Sequence, residues 1–138
     1  MWLCPKESNK DTKKRQGKTK SHLVLFGRIP TVHEFIEYFL FDKYGLDAAF
    51  ENDHHIYKRS NLIKDGKVDP AGTLYIGDGA WGVETRSFPE KDRWYVAESS
   101  PTRHVIEVVI EKDVRTYRAI NHKQKVFDEF VDRRDSAK

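Results

Sequence analysis

The sequence predicts an α+β domain: an antiparallel β-sheet of about five to six strands, packed by a long N-terminal amphipathic helix and a C-terminal helix. Three observations lead there. Apolar residues recur at helical spacing from Val32 to Tyr44, behind a capping box made by Thr31 and Glu34. Short runs rich in β-branched and aromatic residues fill the middle of the chain, separated by glycine-bearing or charged turns. A second apolar stripe, Val126, Phe127, Phe130 and Val131, follows Asn121 in an N-cap position.

A chain of 138 residues with 38% hydrophobic and 34% charged content has the length and composition of one folded domain. No apolar run reaches membrane-spanning length, so an intracellular protein without a membrane partner is the expectation. Cys4 is the single cysteine, which excludes an intrachain disulfide and a cysteine-based zinc cluster. The net charge of +3 is unevenly placed. Residues 1–20 hold seven basic and two acidic side chains, a net +5, which leaves −2 for the remainder. Residues 1–21 therefore read as a basic flexible tail and 22–138 as a single α+β domain.

The domain opens with a strand at His22–Phe26. Helix 32–44 follows, with Val32, Phe35, Ile36, Phe39, Leu40 and Tyr44 as its buried face and Gly45 at C′. Leu62, Ile63 and Val68 flank Asp65-Gly66, a type I′ turn signal, and predict a short hairpin. Thr73–Ile76 and the run from Trp81 to Ser87 flank Gly77-Asp78-Gly79, which predicts the central hairpin of the sheet over 72–88. Strands at Arg93–Glu98 and His104–Glu111 come next. If Lys112-Asp113 is a two-residue turn, a strand over 114–120 sets Arg118 opposite Glu107 and Tyr117 opposite Val108; a helix from Asp113 is the competing pattern.

The bend spells Gly77-x-Gly79-x-x-Gly82, but Val83–Phe88 is β-prone where a dinucleotide-binding turn would open a helix. Ile76–Val83 resembles the glycine-rich loop of protein kinases over about eight residues. No lysine follows on Tyr95–Ser99 and no His-Arg-Asp or Asp-Phe-Gly sequence exists, so no kinase is inferred. Glu51-Asn52-Asp53-His54-His55 is the densest group of ligand-type side chains, yet adjacent histidines in an extended segment diverge, and no metal or cofactor is assigned.

The expected function is a small binding module that engages a nucleic acid or a nucleic-acid-binding protein. Lys13, Lys14, Arg15, Lys18 and Lys20 of the tail would meet phosphates, and Gly77, Asp78, Gly79 and Trp81 would form a binding surface. One alternative is a metal-independent ribonuclease using His55, Glu98, His104 and Arg86, residue types suited to proton transfer and to a developing phosphorane charge. That arrangement is similar to small ribonuclease toxins, in which a helix packs on an antiparallel sheet whose open face carries such residues. An inhibitor of a nucleic-acid enzyme is the remaining alternative. Oligomeric state is not legible.

Overall fold

The structure, a computed structural model, describes residues 23–26, 34–87 and 92–133. The basic tail lies outside them. The elements in chain order are β1 (Leu23–Phe26), α1 (Glu34–Tyr44), β2 (Ala48–Glu51), β3 (Tyr57–Ser60), β4 (Ile63–Lys64), β5 (Lys67–Val68), β6 (Leu74–Gly77), β7 (Val96–Ser100), β8 (His104–Glu111), β9 (Val114–Asn121) and β10 (Val126–Asp132). They make a five-stranded sheet ordered β1-β2-β6-β3-β7, a three-stranded sheet ordered β10-β9-β8, and the two-stranded ribbon β4-β5.

The larger sheet is mixed. β1 and β2 pair in parallel, as do β2 and β6, whereas β3 runs antiparallel to both β6 and β7. Parallel neighbours cannot be joined by a tight turn, and α1 is the crossover that carries the chain from β1 back to the start of β2. Gly45 ends that helix with φ +61, the left-handed conformation that lets the chain reverse.

Strand alternation divides the side chains of this sheet between two layers. Ala48 and Phe50 of β2 lie beside Leu74 and Ile76 of β6 and face the smaller sheet, where Tyr117, Ala119, Ile106, Val108, Phe127 and Phe130 complete the core. Ala49 and Tyr75 take the opposite face, and the Tyr75 ring meets Phe41 of α1 at a centroid distance of 6.3 Å. Helix, mixed sheet and antiparallel sheet thus form three layers.

Charged groups are buried between the two sheets. Arg115 of β9 is fully buried, with Nη2 at 3.2 Å from Asp47 and Nη1 at 3.5 Å from Asp132. Arg59 of β3 donates to both carboxylate oxygens of Asp128 on β10, at 2.6 and 3.1 Å, and the Tyr57 hydroxyl donates to the same carboxylate at 2.5 Å. Burial works against the Asp128 charge, but the hydrogen bonds from Arg59 and Tyr57 outweigh it and hold the carboxyl below its ordinary value.

The two-helix α+β arrangement is overturned. The described residues hold one helix of 11 residues, no C-terminal helix, and a mixed sheet in place of a single antiparallel one. Where a helix was expected, the Asn121 side chain accepts from the backbone of Lys123 and Lys125, so it caps a turn, and the chain returns as β10. A bulge between Val126 and Asp128 explains the misleading stripe. The extra residue turns Phe127 toward the core, beside Phe130 three positions later, and so imitates helical spacing. The hairpin expected over 72–88 does not form among the described residues: β6 ends at Gly77, pairs with β2 and β3, and is followed by turns.

The face of α1 differs from expectation too. Phe39 and Tyr44 are 63% and 70% exposed, while Phe41, outside the predicted stripe, makes the sheet contact. Apolar residues surround this helix, so periodicity does not select a face.

Both short turns form as read. Asp65 and Gly66 have φ of 49° and 69° in the β4–β5 ribbon. Lys112 has φ 55°, and β8 pairs with β9 through Glu107 opposite Arg118 and Val108 opposite Tyr117, which rejects the helix from Asp113. No helix among the described residues is long and apolar enough to cross a membrane.

Replacing Arg115 by alanine leaves Asp47 and Asp132 without their shared buried cation. The expected loss is about 3–5 kcal/mol in urea unfolding. A loss under about 1 kcal/mol contradicts the role given to Arg115 here.

Candidate functional site

The register that pairs β2 with β6 ends both strands side by side, Glu51 against Gly77. Beyond the carboxyl ends of these parallel strands run the loops 52–56, leading into β3, and 78–87, and the two pack against one another.

Glycine permits the close approach of the strand ends. Gly77 sits between Glu51 on β2 and Lys58 on β3, and an added Cβ would lie 2.7 Å from Glu51 Oε1 and from Lys58 Cγ. With no side chain between them, Lys58 Nζ reaches Glu51 Oε1 at 2.5 Å and His54 Nδ1 at 2.9 Å. Gly79 is tighter, because a Cβ there would come within 2.4 Å of the His54 carbonyl oxygen and 2.6 Å of that of Asn52. Backbone bonds stitch the same corner: Asp78 N–H donates to the Glu51 carbonyl at 2.9 Å, and Asp53 N–H to Glu51 Oε2 at 3.1 Å.

The chain then folds back over this corner. His55 Nδ1 lies 3.2 Å from the Glu84 carbonyl, Arg86 N–H donates to the His55 carbonyl at 2.9 Å, and Arg103 Nε donates to the Val83 carbonyl at 2.9 Å. A carbonyl oxygen only accepts. His55 therefore carries its proton on Nδ1 and keeps the lone pair of the neutral ring on Nε2. His54 is the reverse: its Nδ1 accepts from the Lys58 ammonium, which leaves Nε2–H as a donor. Two consecutive imidazoles are thereby set to opposite proton roles.

The residues assigned to catalysis are distributed as follows. His55 and Arg86 are neighbours through the bond just described. Glu98 is exposed on β7, in register with Arg59. His104 is 2% exposed, edge-on to Tyr57 at 5.1 Å and to Phe127 at 6.0 Å, with Nδ1 bonded to the Thr102 carbonyl at 2.7 Å. Its Nε2 has no hydrogen-bond partner among the described residues, and neither has the buried Asp78 Oδ1. Burial pushes the Asp78 carboxyl above its ordinary value, against the opposing pull of His104 and with a further push from Glu51. Gly77, Asp78 and Gly79 thus lie in a closely packed corner, and Trp81 beyond it is 71% exposed.

Lys13, Lys14, Arg15, Lys18 and Lys20 lie outside the described residues. Nothing among the described residues bears on the nucleic-acid-binding assignment. No three His, Cys, Asp or Glu side chains converge as a metal cluster among the described residues. The pairing of Lys58 with His54, and the tautomers it fixes, went unread in the sequence. The signal available was the strand–helix–strand order at 22–51, which marks a crossover and hence a parallel pair.

Two alanine substitutions separate the roles of the glycines. Gly79→Ala meets backbone carbonyls, so it is expected to cost about 1–3 kcal/mol and to raise amide exchange over 52–56. Gly77→Ala meets only mobile side chains and is expected to cost less, while separating Glu51 from Lys58. Equal and small losses at both positions contradict the packed corner.

No protein-family model and no curated protein matches the chain. Among solved structures it resembles a purple acid phosphatase isolated from yellow lupin (Lupinus luteus) seeds, with a TM-score of 0.65 and 17% identity over 74% of this chain and 20% of that one. The chain spans about a fifth of that phosphatase's length, and the likeness is one of fold.

Proposed function

We propose that this chain supplies the phosphate-binding edge of a phosphoester hydrolase. The observation that supports the reading is the corner at the ends of β2 and β6, where Lys58 bonds His54 beside Gly77 and Gly79 and His55 follows in the chain. The fold similarity to part of a phosphatase is what suggests this reaction class over others.

Hydrolysis of a phosphate ester joins a water oxygen to phosphorus, breaks the P–O bond to the alcohol, and moves one proton from the water to the departing oxygen. His55 Nε2 offers the lone pair that accepts the water proton. His54 Nε2–H and the Lys58 ammonium offer a donor and a positive charge to the phosphoryl oxygens, where charge builds as the bond to the leaving group stretches. Asp53 and His55 are also donor types suited to a divalent cation, which would neutralise phosphoryl charge. Two ligands do not complete a coordination shell, so phosphate oxygens, water or further protein groups would provide the remainder.

Incubation with p-nitrophenyl phosphate and bis(p-nitrophenyl) phosphate, in manganese and separately in EDTA, tests the reading. Hydrolysis is expected, lowered about 10²-fold or more by His55→Ala and about tenfold by Lys58→Ala, with the circular dichroism unchanged. Dependence on manganese would assign the electrophile to the cation, and activity in EDTA would assign it to Lys58 and His54. Absence of hydrolysis under both conditions, or rates indifferent to both substitutions, overturns the proposal.

A further inference from the structure

We infer that Asp78 and His104 take up one proton as a pair when the chain folds, which makes the end of β6 a pH-sensitive device that weakens the fold as the pair is emptied. Donors and acceptors do not balance there. His104 Nδ1 lies 2.7 Å from the Thr102 carbonyl, which only accepts, so the ring proton sits on Nδ1 and the lone pair of the neutral ring on Nε2. That Nε2 is buried with no hydrogen-bond partner among the described residues, and so is Asp78 Oδ1. Two buried acceptors face a shortage of donors, and one added proton supplies what is missing.

Register and ring contacts bring the two groups to the same place. Lys58 pairs with Gly77, and Asp78 N–H continues the ladder to the Glu51 carbonyl at 2.9 Å. Tyr57 and Asp78 are thus the next residues along antiparallel neighbours and share a side of the sheet, the side on which Tyr57 is buried. The Tyr57 ring meets the His104 ring edge-on at 5.1 Å. Burial is the leading influence that pushes the Asp78 carboxyl above its ordinary value, and the next is the opposing pull of His104, so each group senses the other.

The other charges nearby are already matched. Glu51, at the end of β2, adds a push on Asp78 but is paired with Lys58 of β3. The Tyr57 hydroxyl is given to Asp128 of β10, which Arg59 also neutralises. Arg103, beside His104, donates to the Val83 carbonyl, and on β9 the residue opposite His104 is the uncharged Asn121. A carboxyl raised in the folded state contributes stability that is complete below the ordinary carboxylate range and is lost as the pH rises through the raised value.

Urea unfolding of the full chain between about pH 4 and about pH 9 tests the inference, with Asp78→Asn as the comparison, since its amide offers Nε2 a donor at every pH. The ratio of folding constants, wild type over variant, is expected to fall as the pH rises, by up to about tenfold per pH unit where the pair empties. A ratio that is constant, or that rises with pH, overturns the inference. Nuclear magnetic resonance on the wild type decides the matter even if Asp78→Asn does not fold. The Asp78 carboxyl carbon and the His104 ring nitrogens are expected to shift together through one midpoint above the ordinary carboxylate range. Titration of Asp78 within that range, or a shift at Asp78 with none at His104, overturns the pair.

Discussion

Two sheets close over a core that contains charge because two arginines meet carboxylates across the gap between the layers, Arg115 at Asp47 and Arg59 at Asp128. Arg115 reaches from β9 to Asp47, which immediately precedes β2, and also to Asp132 at the end of β10. Arg59 and Tyr57 of β3 meet Asp128 of β10 in the same way. Desolvating such groups is costly, and a hydrophobic replacement of the whole set could be as stable; what the charges add is register, since the two cross-sheet pairs are satisfied in one alignment of the sheets only. Small residues assist. Ala48, Ala49 and Ala119 are all buried and let the layers approach closely.

That alignment places the corner at the ends of β2 and β6. Asp47 fixes the start of β2 and Arg59 fixes the middle of β3, so the segment between them, which carries Asp53, His54 and His55, spans two anchored strands. β6 lies between those strands, and its glycine end allows Glu51, Lys58 and His54 to meet. Directly beneath, Asp78 Oδ1 and His104 Nε2 remain buried without hydrogen bonds, each a local cost of about 1–3 kcal/mol. The stability that offsets this comes from the inter-sheet pairs and the apolar core.

Local chemistry was legible in the sequence and long-range pairing was not. Asp65-Gly66 declares its turn because both residues favour positive φ, whereas Lys112-Asp113 carries no such signal and left a helix from Asp113 open; once that turn is granted, the Glu107–Arg118 register follows from its length. The parallel pairing of β2 with β6 joins residues about 26 apart, and no local pattern encodes it. The bulge at Phe127 converted a strand into an apparent helix stripe, and the glycines at 77 and 79 look like a turn although they serve close packing. Of the site, the ligand-type run at 51–55 and the bend at 77–79 were each visible. Their meeting at one corner depended on the parallel register, and so did the roles of Lys58 and the two imidazoles.

The most direct test of the central claim is a titration of the full chain with inorganic phosphate, followed through backbone amide shifts by nuclear magnetic resonance. Shifts concentrated over 52–58 and 78–86, at the shared end of β2 and β6, are the predicted result. Shifts concentrated instead around Glu107, Arg118 and Glu129 on the outer face of the antiparallel sheet, or no shifts at all, would contradict the account.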